Sequence, residues 1–155
     1  MAGISVGAKV AAFKAPSTGG RHVRLADYKG RNLIVYFYPK DNTPGCTVEG
    51  QDFRDNIRRF SARNTAVLGV SRDSLKSHES FREKHGFPFD LISDAEEELC
   101  RLFGVIKEKN MYGKKFLGIE RSTFLIDANG VLRREWRGVR VDGHVDDVLQ
   151  AIKEL

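Results

Sequence analysis

In the stretch "VYFYPKDNTPGCTVEGQ", Val35 to Gln51, a single thiol, Cys46, follows an apolar run and a turn that carries two prolines. Thr43 suits the N-cap of a helix, and Pro44 suits its first position, where the missing amide proton would have no partner in any case. Cys46 then falls in the first helical turn. There the unpaired backbone N–H groups and the positive end of the helix dipole favour a negative sulfur. An ordinary free thiol is only a few per cent ionised near neutral pH, so this placement matters. A thiolate so held can be a nucleophile, a metal ligand or half of a redox couple.

The surroundings narrow the choice. A zinc-type site needs three or four converging Cys, His or acidic ligands, yet no histidine lies near Cys46 and the four in the chain are scattered. The expectation is no metal and no cofactor. A thioredoxin-type C-x-x-C is absent, because Cys46 is followed by Thr47, Val48 and Glu49. A Cys/His hydrolase of the papain type stays open on spacing, since its histidine can be distant in sequence. The local signatures of that class are missing, and the chain is short for it.

Pro39, Thr43 and Cys46 make up the pattern P-x-x-x-T-x-x-C. It resembles the active-site motif of the peroxiredoxins, and "YFYPKDNTPGCTVEGQDFRD" is similar to the bacterioferritin-comigratory, or PrxQ, subfamily. The likeness continues through "FKAPSTGGRHVRLADYKGR", "VLGVSRDSLKSHESFREKHGFPFDLISD" and "GIERSTFLIDANG", which together span nearly the whole chain. The resemblance implies a thioredoxin-like fold and a peroxidase that reduces hydrogen peroxide and organic hydroperoxides. In that reading the Cys46 thiolate attacks a peroxide oxygen and becomes a sulfenic acid. Negative charge then develops on the leaving oxygen, where fixed donors are wanted. Thr43 would set its hydroxyl beside the sulfur, the Cys46 N–H would be a second donor, and Pro39 would shield the site from water. By similarity, Arg121 in "ERSTF" supplies an always-charged fork of donors for the thiolate and the peroxide. Glu49, about one helical turn from Cys46, is the candidate for orienting that arginine.

One departure concerns recycling. Many members of the subfamily carry a resolving cysteine five positions after the first, and here that position is Gln51. The helix after the second strand, the subfamily's other resolving position, holds no cysteine either. Cys100, in "EEELCRLFG", is the one internal candidate, and beside Leu99 and Phe103 it also reads as a small core residue. The reading favoured is a one-cysteine cycle reduced by glutathione, glutaredoxin or thioredoxin. The alternatives are a Cys46–Cys100 disulfide, which would require local unfolding, and a non-catalytic peroxide sensor or holdase on the same fold.

These residues need elements to hold them. "NLIVYFY", Asn32 to Tyr38, is a continuous β-branched and aromatic run, read as a buried central strand. Val48, Phe53, Ile57 and Phe60 recur at helical spacing, predicting one helix from Thr43 to about Arg63. "AVLGVS" and "FDLIS" read as strands, with "DSLKSHESFREKHG" between them as a helix stopped by glycine. Ser93 and Glu96 have the spacing of a capping box for "DAEEELCRLFG". "VIKEKNMYGKKFLGI" reads as the longest weakly patterned connection, of the kind that is often functional. "RSTFLIDANGVLRREWRG" predicts a hairpin, as do the residues around Gly19-Gly20, and "VDGHVDDVLQAIKEL" predicts a closing amphipathic helix. The class is α/β, with a mixed sheet flanked by helices in one domain over residues 1–155.

Composition agrees. The chain has 155 residues, 41% hydrophobic and 30% charged, enough for one domain with a core. No apolar run approaches a membrane span. The net charge of +5 is dispersed over "RRF", "KEKN", "GKK" and "RREWRGVR", without a nucleic-acid motif. The start, "MAGISVGAKVAAF", has no export pattern, and two widely spaced cysteines fit a reducing compartment, so the expectation is cytoplasmic. No nucleic acid and no membrane are expected as partners. A monomer is expected because no extension beyond the final helix is there to wrap a second subunit; a dimer through an exposed edge is the alternative.

Overall fold

The computed structural model describes residues 3–155. A hairpin of β1 (Lys14–Ser17) and β2 (Arg21–Arg24) turns through Gly19 and Gly20, both at positive φ, where a glycine has no Cβ to clash. A 3-10 turn, Leu25–Tyr28, leads into β3 (Asn32–Phe37), α1 (Pro44–Asp55), α2 (Ile57–Ser61), β4 (Thr65–Ser71), α3 (Leu75–His85) and β5 (Asp90–Ser93). Then come α4 (Glu98–Leu102), the hairpin β6 (Ile106–Met111) and β7 (Lys114–Ile119), the hairpin β8 (Ser122–Ile126) and β9 (Leu132–Arg137), and α5 (His144–Lys153).

Seven strands form one sheet in the order β2-β1-β5-β4-β3-β8-β9. β3, β4 and β5 run parallel through helical crossovers, while β8, β9, β1 and β2 join antiparallel. This is the expected mixed α/β sheet. Alternate residues of β3 serve opposite faces. Leu33, Val35 and Phe37 pack with Phe103, Phe124 and Cys100 on one side. Ile34, Tyr36 and the following Tyr38 pack with Phe53, Phe60, Phe81 and Val148 on the other. Burial on both faces is why the strand reads as an unbroken apolar run. Tyr36 stacks on Phe53 of α1 with ring centroids 4.5 Å apart, which fixes α1 over the end of β3.

Three elements differ from expectation. The single helix over 43–63 is two, broken at Asn56, whose side-chain amide donates to the Asp52 carbonyl and competes with the helical ladder. Ser93 does not cap α4, because its hydroxyl donates to the Asp73 carbonyl. The Asp94 carboxylate instead accepts from the N–H groups of Leu99 and Cys100, at 3.1 and 2.7 Å. The weakly patterned connection is a regular hairpin, β6–β7, standing apart as its own two-stranded sheet. Its side chains are mostly exposed, so no buried face imposes the alternation that reveals a strand. Among the described residues, no helix is long and apolar enough to cross a membrane.

Candidate active site

β3 ends under Tyr38, and the chain turns through Pro39 to Thr43 before entering α1. Pro44 begins the helix, so Cys46 occupies its first turn, as the spacing predicts. Thr43 has the extended backbone of an N-cap, but its hydroxyl makes no capping bond. It donates to the Lys40 carbonyl at 2.8 Å, which closes the loop and leaves the oxygen's lone pairs free to accept. Pro39 is half-buried at the start of that loop. Cys46 is only 2% exposed.

Arg121 comes from the link between β7 and β8, far from Cys46 in sequence, and reaches across α1. Its Nη2 donates to Cys46 Sγ at 3.4 Å, and its Nη1 donates to Glu49 Oε1 at 2.6 Å. The two bonds hold the fork of one guanidinium between a sulfur and a carboxylate. Burial opposes the charge on Arg121, but Glu49 and Cys46 outweigh it, and the guanidinium sits above its ordinary pKa. Glu49 is fully buried, one turn beyond Cys46, and its Oε2 has no hydrogen-bond partner among the described residues. That desolvation pushes its carboxyl up to about 7, against the pull of Arg121. The structure thus brings Cys46, Thr43, Glu49 and Arg121 to the start of α1.

Two residues of the site have no role in the sequence reading. A Cβ on Gly45 would lie 3.1 Å from Arg121 Nη2, so glycine there leaves the guanidinium room to approach the sulfur. A Cβ on Gly50 would lie 2.4 Å from Phe87 Cζ, so α1 packs against that ring with no space for a methyl group. The available signal was two glycines within one helix, where each costs up to about 1 kcal/mol relative to alanine and so calls for a packing reason. The β6–β7 hairpin also bears on the site. The Lys109 ammonium on β6 is lowered by burial and then by repulsion from Arg121, while the Cys46 sulfur raises it.

Cys100 lies elsewhere. It is fully buried on α4 in the core on the opposite face of the sheet from Cys46, and both cysteines are free. Burial, with Asp94 beside it, pushes the Cys100 thiol well above the usual range. Gln51 is half-buried on α1.

A model of the AhpC/TSA family matches residues 6–135. The chain is 55% identical over 136 residues to a protein named peroxiredoxin Bcp from Xanthomonas campestris, covering 88% of this chain and 85% of that one. Its fold is similar to PrxQ from Xylella fastidiosa, with a TM-score of 0.93, 44% identity and coverage of 99% and 98%. It is also similar to Xanthomonas campestris bacterioferritin comigratory protein, in a structure described for alkyl peroxide reduction activity: TM-score 0.88, 52% identity, coverage 92% and 90%.

Proposed function

Starting from the fact that the chain belongs to the AhpC/TSA family, with the thioredoxin-like fold and thiol-dependent peroxidase activity of its peroxiredoxin Bcp relatives, we propose that Cys46 is the peroxidatic nucleophile. Thr43, Arg121 and Pro39 complete the site, and Glu49 supports it. The observation that carries this reading is the single guanidinium bonded both to Cys46 Sγ and to Glu49.

The Cys46 thiolate attacks the terminal oxygen of R–O–O–H, the O–O bond breaks, and the products are Cys46–S–OH and an alkoxide that takes a proton. Arg121 Nη2 and the Cys46 N–H stabilise the charge that moves from sulfur to the leaving oxygen. Thr43, with its own proton committed to Lys40, accepts from the peroxide O–H. Pro39 walls off water without adding a competing N–H. The substrates are hydrogen peroxide and small organic hydroperoxides, including the alkyl peroxides that the Xanthomonas relative is described as reducing.

Recycling proceeds through one protein cysteine. An external thiol attacks the sulfenic sulfur, water leaves, and a second thiol releases Cys46 from the mixed disulfide. Glutathione, glutaredoxin and thioredoxin fit this requirement, in a reducing cytoplasm, with the protein acting as a monomer. The separation of Cys46 and Cys100 between two cores supports this over an internal disulfide. Intact mass after one equivalent of peroxide is the test: a gain of one oxygen is expected, abolished in Cys46→Ser and kept in Cys100→Ser. A loss of two hydrogens that disappears in Cys100→Ser would replace this cycle with a two-cysteine one. Peroxide turnover persisting in Cys46→Ser would overturn the assignment of the nucleophile.

A further inference from the structure

One buried carboxylate holds the loop between Pro39 and Thr43. Asp41 Oδ1 accepts from the Tyr38 hydroxyl at 2.7 Å. Its Oδ2 accepts from the Ser77 hydroxyl at 2.8 Å and meets His78 Nδ1 at 2.7 Å. The Asp41 backbone N–H donates to Asp73 Oδ2 at 2.9 Å. His78, on α3, is fully buried, and its Nε2 lies 2.9 Å from the carbonyl oxygen of Ile92 on β5. A carbonyl can only accept, so Nε2 carries the hydrogen of that bond. Nδ1 is left facing the carboxylate. The ligand-type atoms of Asp41, Asp73 and His78 lie within 4.8 Å of one another, and the protein's own donors already engage them.

We propose that His78 is a positioning residue for peroxide reduction, acting through Asp41 to hold the loop that presents Thr43 and the first turn of α1. The inference rests on the peroxidase reading of Cys46. His78 ties three elements together: α3 carries it, β5 takes one ring nitrogen and the loop takes the other. The next loop residue, Asn42, has φ of 63°, a left-handed conformation that persists only where its surroundings over-determine it. Asp41 supplies that restraint on one side, and Thr43, bonded back to Lys40, supplies it on the other. Attack on an O–O bond requires sulfur, peroxide and donors in line, and a shift of about 1 Å in such an arrangement costs about a hundredfold in rate. Loss of the His78 bond removes one of the restraints on Asp41 and loosens that loop without touching the sulfur.

Three variants test this. His78→Phe keeps a ring and removes both bonds. His78→Asn keeps a donor where Nδ1 stood, and His78→Gln keeps one where Nε2 stood. For each, two rates at Cys46 are compared: oxidation by hydrogen peroxide, and alkylation by iodoacetamide, which needs the sulfur but not the peroxide geometry. The expected result is oxidation slowed at least tenfold in His78→Phe and His78→Gln, restored to within threefold in His78→Asn, with alkylation within threefold of the parent throughout. Oxidation within twofold of the parent in His78→Phe would overturn the proposal. So would equal losses in oxidation and alkylation, or rescue by Gln as good as by Asn. Should His78→Phe fail to fold, Asp41→Asn carries the same comparison, with at least a fivefold selective loss expected and a loss under twofold overturning it. A parent that is alkylated at Cys46 but consumes no peroxide would instead sink the peroxidase reading, which is a separate result.

Discussion

Arg121 makes two bonds that draw on one charge, and separating them shows what each does. The Glu49 bond keeps a fully buried carboxyl satisfied on one oxygen, and the Cys46 bond places a donor at the sulfur. Arg121→Met removes both. Loss of one such transition-state donor slows reactions by about a hundredfold to a thousandfold, so Cys46 oxidation by hydrogen peroxide should fall by about that factor in stopped-flow. The same change strands Glu49 without a partner and should cost about 1–3 kcal/mol in chemical denaturation. In the double variant with Glu49→Gln, stability should return in part while oxidation stays slow. Recovery of both together would mean that the arginine acts only as a structural strut. At this scale the sequence was informative in two ways: Cys46 is named by its place in the first turn of a helix, whereas the roles of Thr43 and Arg121 follow from the resemblance to the peroxiredoxins. The direction of the Thr43 hydroxyl was not legible, because the Lys40 carbonyl and an open N–H of α1 are both within a threonine's local reach, and only the loop's path decides between them.

α1 presents the site and packs against the aromatic residues of the connection between α3 and β5, and Gly50 measures how closely. Alanine there would raise helix propensity by up to about 1 kcal/mol, yet its methyl carbon would lie 2.4 Å from Phe87 Cζ. Phe87 cannot swing away easily, being stacked on Phe89 and held edge-on by Phe81. Overpacking of this kind costs about 1–3 kcal/mol, so Gly50→Ala should destabilise by roughly 1–2 kcal/mol in urea unfolding. Phe87→Leu should recover part of that loss in the double variant. A Gly50→Ala protein as stable as the parent would show that α1 can lift off the ring at no cost. Elements with a buried face were legible from periodicity, as with β3 and α5. The break at Asn56, the Asp94 cap of α4 and the β6–β7 hairpin were not, since each is decided by a polar side chain or by strands that bury almost nothing.

Across the whole molecule, the face of the sheet that carries α1 and α5 buries two titratable groups that respond to pH in opposite directions. Burial lowers His144 to about 4, where its Nε2 lies 2.7 Å from the Thr123 hydroxyl and its ring packs edge-on to Phe53 and Trp136. Burial raises Glu49 to about 7. A depressed histidine contributes stability that is complete above its unfolded value, about 6.5, and that is lost as pH falls through about 4. A raised carboxyl does the reverse. Its contribution is complete below its unfolded value, near 4.5, and is lost as pH rises through about 7. Between about 4.5 and 6.5 the two slopes oppose each other and cancel in large part. Single variants uncover them. Relative to the parent, Glu49→Gln should gain stability as pH rises from 4.5 to 7, and His144→Asn should lose stability as pH rises from 4 to 6.5. Thermal melts at half-unit intervals, plotted as variant minus parent, remove the common contribution of the surface carboxylates. Difference curves that are flat in both variants would mean that water reaches these two sites and that the face is not dry. Curves of the expected opposite slope would mean that the carboxyl holding Arg121 is near half-ionised close to neutral pH, so that the charge facing its guanidinium changes there.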